Sequence, residues 1–81
     1  MDDRAIEVRL PDLGDVGRVK VVEWLVDPGS PVEMNDDLLE VETEKTTFVI
    51  PAPATGCLAR IIVPAGGEAN ADDLLGEIER G

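Results

Sequence analysis

The chain has 81 residues, with 7 Lys and Arg against 18 Asp and Glu and no His, so its formal net charge is −11 at pH 7. A chain of this size buries only about 60% of its extended surface, which excludes a large catalytic cleft and predicts a single domain over residues 1–81. Binding to nucleic acid or an anionic membrane needs clustered basic residues, so the acidic balance excludes both partner classes. The hydrophobic content of 43% is ordinary for a globular protein, and we expect a packed core.

The reactive side chains exclude several kinds of chemistry. A single cysteine, Cys57, excludes an internal disulfide, and without His the chain has no plausible set of zinc ligands. Neither Ser30 nor Cys57 has a histidine to act as its base, which excludes hydrolases of that type. The acidic N-terminus contains no apolar segment of the length that export or a membrane span requires. These features predict a cytoplasmic, reducing location and a domain whose reactive group is supplied by another molecule.

Short strands separated by turns are predicted, because six prolines and eight glycines punctuate the chain. The first strand shows the clearest alternation, with Ile6, Val8 and Leu10 on one face. The others are rich in β-branched residues and stop at Pro or Gly turns. We predict four strands in this way, at residues 5–10, 18–26, 46–50 and 56–63.

Residues 32–44 and 68–80 are ambiguous between helix and strand. Apolar residues in both segments recur at i, i+4 and i+7, which is a helical spacing. In the first segment, however, Leu39 and Val41 alternate with Glu40 and Glu42, and the segment runs into the strand at 46–50 as a hairpin would. The residues alone favour strand and leave open an α+β fold with two helices.

These two segments also resemble each other. Asp36-Asp37-Leu38-Leu39 recurs as Asp72-Asp73-Leu74-Leu75, and in each half the motif follows a strand and a Gly/Pro turn. The repeat predicts a duplicated unit of roughly 37–39 residues, folded as a pseudosymmetric sandwich. The hairpin at residues 42–46 and the chain end at residues 79–81 then occupy equivalent and opposite places.

The two lysines of the chain lie in different settings. Lys20 lies inside the strand at 18–26 and is predicted to be an ordinary solvent-facing residue. Lys45 lies between two strands, flanked by Glu44 and Thr46, where a tight turn would project it into solvent. From its position alone, Lys45 is an ordinary exposed charge.

The run Val41-Glu42-Thr43-Glu44-Lys45-Thr46 changes that interpretation. With Asp27-Pro28-Gly29 before it and Gly56 after it, the run resembles the lipoyl-domain family, the swinging-arm carriers of 2-oxoacid dehydrogenase complexes. The resemblance implies an all-β fold, a flattened eight-stranded barrel-sandwich hybrid of two four-stranded antiparallel sheets with pseudo-two-fold symmetry. It places the lipoyl attachment on Lys45, with Glu42, Glu44 and Thr46 beside it at the hairpin tip. The family usually has aspartate where this chain has Glu44, which bears on how well a lipoyl ligase recognises the tip.

The same resemblance implies a function and a set of partners. Lipoate would be attached covalently to Lys45 by a lipoyl ligase or lipoyl transferase. The domain would then shuttle acyl groups and reducing equivalents between a thiamine-diphosphate-dependent 2-oxoacid decarboxylase, an acyltransferase core and dihydrolipoyl dehydrogenase, without catalytic residues of its own. It would be a monomer when isolated, excised from a dihydrolipoamide acyltransferase. Partner recognition in the family implicates the loop after the first strand, here Asp12, Leu13, Gly14, Asp15 and Val16.

Two other functions remain open from the sequence. A biotinyl carrier domain has the same fold and presents its lysine at the same hairpin, but its signature has methionine on both sides of that lysine. A structural or adaptor domain could keep the fold and never use Lys45.

Packing or turn positions are also predicted for several other residues. Cys57 is predicted to be a small buried hydrophobe, and Gly29 and Gly56 are expected to serve turns. Trp24 is predicted to pack on the strand surface. Five residues are predicted to lie in the core: Leu25, Phe48, Val49, Ile50 and Ile61.

Overall fold

The computed structural model describes residues 5–11 and 17–80. Every regular element in these residues is a strand, so the helices left open for 32–44 and 68–80 do not form. No helix in this part of the chain is long and apolar enough to cross a membrane. The strands are Ala5–Arg9 (β1), Val19–Trp24 (β2), Pro31–Val32 (β3), Asp37–Glu42 (β4), Thr47–Pro51 (β5), Gly56–Ile61 (β6), Glu68–Ala69 (β7) and Leu74–Glu79 (β8).

The strands form two four-stranded sheets, with the orders β1-β8-β6-β3 and β5-β4-β2-β7. All of their pairings are antiparallel. Each sheet presents one apolar face to a single core, and side chains from both sheets are fully buried there, including Val8, Val21, Leu39, Leu58 and Ile78. The all-β fold class predicted from the resemblance is confirmed.

The second half of the fold repeats the first at a spacing of 37 residues. β2 and β6 begin at Val19 and Gly56, and β4 and β8 begin 37 residues apart as well. Gly29 and Gly66 both have a φ of 92°, the left-handed region that glycine adopts without strain. The predicted duplication is therefore confirmed, with a pseudo-two-fold relation between the sheets.

The matching tetrapeptides from which the repeat was predicted do not occupy equivalent positions in the two halves of the fold, because they are offset by one residue. Leu38 corresponds to Leu75 rather than Leu74, and both are completely buried. The turns that precede them set this alignment: the Asp36 carboxylate accepts a hydrogen bond from the Glu33 amide at 2.9 Å, and the Asp73 carboxylate accepts one from the Asn70 amide at 2.8 Å. Each turn fixes which residue of the following strand first points inward.

Three packing predictions are wrong, two of them because side chains alternate along a strand. Val49 is 48% exposed between half-buried Phe48 and buried Ile50, because neighbouring residues of a strand face opposite sides. Cys57 is exposed for the same reason, since buried Leu58 takes the inward position in β6. Leu25 follows the end of β2 and is 40% exposed. Ile61 packs against the core, as predicted.

The two glycines expected at turns have different roles. Gly29 has a positive φ in a turn, as predicted. Gly56 instead begins β6 and pairs with Val32, and a Cβ at this position would overlap the main-chain carbonyl oxygen of Glu79. Gly56 therefore permits close approach of β8 rather than a turn.

Candidate functional site

Lys45 lies at the tip of the hairpin that joins β4 to β5. The two strands pair up to Glu42 and Thr47, and residues 43–46 form the connection. Lys45, Glu44 and Thr46 are exposed, whereas Thr43 is half-buried. The predicted hairpin and its projecting lysine are thus present. Because the tip lies at the end of a packed strand pair, the base of the lysine side chain is held by the sheet.

The side chain of Thr43 organises the tip. Its hydroxyl oxygen accepts hydrogen bonds from the amides of Lys45 and Thr46, each at 3.2 Å, and its proton is donated to the carbonyl oxygen of Thr46 at 3.1 Å. The amide of Thr43 donates to the same carbonyl oxygen at 2.7 Å. Thr43 was not singled out from the sequence. A threonine at the start of a turn can nevertheless accept such bonds from the backbone amides two and three residues later.

A band of charged side chains crosses the sheet beside the tip. Glu68, Lys20 and Glu42 are cross-strand partners on β7, β2 and β4, so their side chains share one exposed face. Arg18 forms an ion pair with Glu68 at 3.0 Å. A shallow depression runs along this band to the tip and is lined by Arg18, Val19, Lys20, Glu42, Thr43, Glu44 and Glu68.

The predicted recognition loop lies next to this region in sequence. Asp12, Leu13, Gly14, Asp15 and Val16 are outside the described residues, so their predicted role stays a prediction. Arg18, two residues after Val16 in the sequence, lines the depression beside the tip. Arg18 and Glu68 are further side chains of this surface that the sequence reasoning did not single out, since their approach depends on the pairing of β2 with β7.

The tip fits covalent attachment of an acyl group. Among the described residues, no carboxylate lies within 4.0 Å of the Lys45 amine, so this amine is not engaged in an ion pair there. By contrast, the Arg9 guanidinium donates a hydrogen bond to the Glu7 carboxylate at 2.9 Å, and this contact raises the pKa of Arg9. In the described part of the chain, no group of three His, Cys, Asp or Glu side chains is arranged to bind a metal ion. Lys45 therefore offers an accessible amine on a fixed hairpin.

Comparison with known families agrees with this geometry. Residues 6–78 match the Biotin_lipoyl family, whose description reads "biotin-requiring enzyme". This chain belongs to the Biotin_lipoyl family. The match covers almost all of the described structure, including both sheets and the Lys45 hairpin, so the resemblance stated from the sequence is confirmed at the level of the family.

Two curated relatives of this Biotin_lipoyl domain are acetyltransferase components of pyruvate dehydrogenase complexes. It is 35% identical over 69 residues to the dihydrolipoyllysine-residue acetyltransferase component of the pyruvate dehydrogenase complex of Azotobacter vinelandii, covering 85% of this chain and 11% of that protein. The corresponding component of Staphylococcus aureus is 34% identical over 76 residues, covering 93% of this chain and 18% of that protein. The chain thus spans less than a fifth of these relatives.

Solved structures give the same fold. The lipoyl domain of the 2-oxoglutarate dehydrogenase complex of Azotobacter vinelandii superposes with a TM-score of 0.76 at 26% identity, covering 94% of this chain and 98% of that one. The urea carboxylase of Kluyveromyces lactis superposes with a TM-score of 0.79 at 23% identity, covering 96% of this chain but 6% of that one. The second likeness is below 25% identity and shows the fold alone.

Proposed function

We propose that this domain is a lipoyl carrier of a dihydrolipoamide acyltransferase in a 2-oxoacid dehydrogenase complex, with lipoate attached to Lys45. The observation that carries the proposal is the exposed Lys45 at a hairpin tip in this family fold, flanked by Glu44 and Thr46. A biotinyl signature would have methionine at both flanking positions. The curated relatives, which are acetyltransferase components of pyruvate dehydrogenase complexes, support the assignment of the parent protein.

Attachment forms an amide bond between the Lys45 amine and the carboxyl carbon of lipoate. A lysine amine is almost fully protonated at neutral pH, so the reaction requires an enzyme and an activated lipoyl donor. The ammonium group loses two protons and keeps one hydrogen as the amide N–H, the nitrogen forms the new bond to the carboxyl carbon, and the activating group leaves with the electron pair of its broken bond to that carbon. The lipoyl ligase or lipoyl transferase supplies the acid–base chemistry, and this domain supplies a positioned amine.

Attachment also changes the charge of the tip. The positive charge of Lys45 is lost in the amide, while the exposed carboxylates of Glu42 and Glu44 remain beside it. A negative tip favours encounter with basic partner surfaces and disfavours acidic ones. When bound, the lipoyl group supplies a dithiolane that accepts and releases an acyl group and two electrons. The protein holds the base of the lipoyl-lysine side chain in place. The long, flexible side chain then presents the dithiolane to each partner active site at a high effective concentration.

The proposed partners follow from this role. They are the thiamine-diphosphate-dependent 2-oxoacid decarboxylase, the acyltransferase core and dihydrolipoyl dehydrogenase, and residues 12–16 are proposed to contribute to their recognition. We place the protein in the cytoplasm. The domain itself is proposed to act without catalytic residues.

The test is an intact-mass measurement after incubation with lipoate, ATP and a lipoyl ligase, followed by peptide mapping. We expect one lipoyl increment on Lys45, no increment in Lys45→Arg, and an unchanged increment in the matched control Lys20→Arg. A folded wild-type domain that stays unmodified contradicts the proposal. Avidin binding by the domain isolated from cells would identify a biotinyl carrier instead.

A further inference from the structure

The hairpin tip closes without the backbone conformation that short hairpin loops favour. Two-residue loops are usually turns in which the first central residue has a positive φ, a conformation supplied by Gly, Asn or Asp. Among the described non-glycine residues, positive φ occurs at Asn35 and Asp72, and neither lies in this loop. The central residues here are Glu44 and Lys45, so the tip needs another source of support.

The Thr43 hydroxyl provides that support. In an ordinary two-residue loop, the residues on either side exchange two backbone hydrogen bonds. Here the bond from the Thr43 amide to the Thr46 carbonyl oxygen is present at 2.7 Å. The Thr46 amide instead donates to the Thr43 hydroxyl at 3.2 Å, where an ordinary loop would use the Thr43 carbonyl oxygen. A hydroxyl offers one donor and two acceptor sites, and those of Thr43 are all used, because it also accepts from the Lys45 amide and donates to Thr46.

We propose that Thr43 is the positioning residue of the attachment site. Its hydroxyl fixes the backbone of Lys45 and thereby sets where the amine is presented to the modifying enzyme. This inference rests on the proposed lipoylation of Lys45. Thr43 does not touch the acyl donor, and it acts through the lysine backbone. Enzymatic acyl transfer is sensitive to such placement, since a displacement of about 1 Å can cost on the order of a hundredfold in rate.

Four chains test the proposal: wild type, Thr43→Val, Thr43→Ser and Thr47→Val. Valine keeps the β-branched shape of threonine and removes the hydroxyl, whereas serine keeps the hydroxyl. Thr47 is exposed at the start of β5, and its hydroxyl makes no hydrogen bond within the described residues, so Thr47→Val is the matched control. Melting curves identify any variant that is not folded, and Thr43→Ala replaces Thr43→Val in that case.

Three measurements are compared on these chains. The first is the initial rate of lipoylation of Lys45 by a lipoyl ligase with lipoate and ATP. The second is the rate of non-enzymatic acetylation of Lys45 by acetic anhydride, which needs an accessible amine but no particular placement. The third is hydrogen exchange at the amides of Lys45 and Thr46, measured by NMR on the unmodified domain.

The expected result is a selective loss. Lipoylation slows by about tenfold or more in Thr43→Val and stays within about twofold of wild type in Thr43→Ser and Thr47→Val. Acetylation is unchanged in all four chains. Exchange of the two amides becomes about fivefold faster in Thr43→Val, which corresponds to the loss of one ordinary hydrogen bond at each.

Two outcomes overturn the assignment of Thr43. The first is an equal lipoylation rate in wild type and Thr43→Val, which would show that the hydroxyl does not position the lysine. The second is acetylation that slows as much as lipoylation in Thr43→Val, which would show that the substitution changes the accessibility or reactivity of the amine itself. A wild-type chain that takes no lipoyl group overturns the proposed function and this inference together. The failures of the two proposals are therefore distinguishable.

Discussion

The indole ring of Trp24 packs against Gly76, a residue of the other sheet. A Cβ built on Gly76 would lie 2.9 Å from the Trp24 Cη2 atom and 2.8 Å from the main-chain oxygen of Arg60. The indole Nε1 donates a hydrogen bond to the carbonyl oxygen of Val63 at 2.8 Å, which fixes the ring in this place. The repeat has Leu39 at the position equivalent to Gly76 and Ile61 at the position equivalent to Trp24, so this contact between the two halves has no symmetry-related counterpart.

The Gly76→Ala substitution is expected to destabilise the domain by about 1–3 kcal/mol, because the added methyl group overpacks a closed contact. Part of this cost should disappear in a Trp24→Leu background, where the ring is absent. Urea unfolding of both single variants and the double variant measures the coupling. Additive free energies of unfolding would show that the ring and Gly76 do not restrict each other.

Burial distinguishes two leucines that both lie in predicted strands. Leu58 is completely buried between the sheets, whereas Leu25 is 40% exposed. We expect Leu58→Ala to lower the free energy of unfolding by about 2–5 kcal/mol. Leu25→Ala should cost less, about 1–2 kcal/mol, because Leu25 is already 40% exposed to water. The comparison uses denaturant midpoints, and equal losses in the two variants would contradict the observed packing of β2 and β6.

The turns before β4 and β8 provide a test of the pseudosymmetry. Asp36 and Asp73 each accept an amide hydrogen bond three residues back, at 2.9 and 2.8 Å. We expect Asp36→Ala and Asp73→Ala to cost about 1 kcal/mol each, and asparagine at either position to retain most of the stability because its side-chain oxygen still accepts. A large difference between the two alanine variants, measured by thermal unfolding, would show that the halves are not equivalent.

The sequence predicted most of the strands and the exposed lysine at the hairpin tip because both depend on local patterns. Alternation in residues 5–10 is visible without any tertiary information, and the Lys45 hairpin carries a recognisable motif. The choice of strand for 32–44 and 68–80 needed more, since their helical spacing competes with alternation over a few residues. Pairing with the neighbouring strands settles that competition in the folded protein.

The errors came from features that only three-dimensional pairing determines. Val49 and Cys57 lie in apolar runs, and a run does not reveal which of its residues points inward. The role of Gly56 depends on the approach of β8, a strand distant in sequence. Thr43 was overlooked because its importance lies in hydrogen bonds around a turn and not in its residue type.

The exposure of Cys57 leads to a direct chemical prediction. Cys57 is exposed on the outer face of β6, where its cross-strand partners are Pro31 of β3 and Glu79 of β8. We expect the folded domain to react with one equivalent of 5,5′-dithiobis(2-nitrobenzoate) at a rate within about tenfold of the unfolded chain. Cys57→Ser is the control for non-specific reaction. A thiol that reacts only after denaturation would contradict the outward orientation of Cys57.

Two pairs of glutamates face each other across neighbouring strands. Glu23 lies opposite Glu40 in the β2–β4 pair, and Glu7 lies opposite Glu77 in the β1–β8 pair. Glu7 and Glu77 are compensated by ion pairs with Arg9 and Arg60, both at 2.9 Å. No such ion pair to Glu23 or Glu40 forms among the described residues. Like charges directly opposite each other destabilise a sheet, so the Glu23–Glu40 pair is the better place to improve stability.

The Glu23→Lys substitution is therefore expected to raise the free energy of unfolding by about 0.5–1 kcal/mol at low ionic strength, because it replaces a repulsion across the strands with an attraction. Glu33→Lys is the matched control, since it changes the net charge equally from an exposed position outside the strands and relieves only the general repulsion of an acidic chain. Urea unfolding of both variants should show the larger gain for Glu23→Lys at about 0.02 M salt and nearly equal stabilities at about 1 M, where charges are screened within about 3 Å. Equal gains at low salt would mean that net charge, and not the cross-strand contact, limits the stability of this sheet.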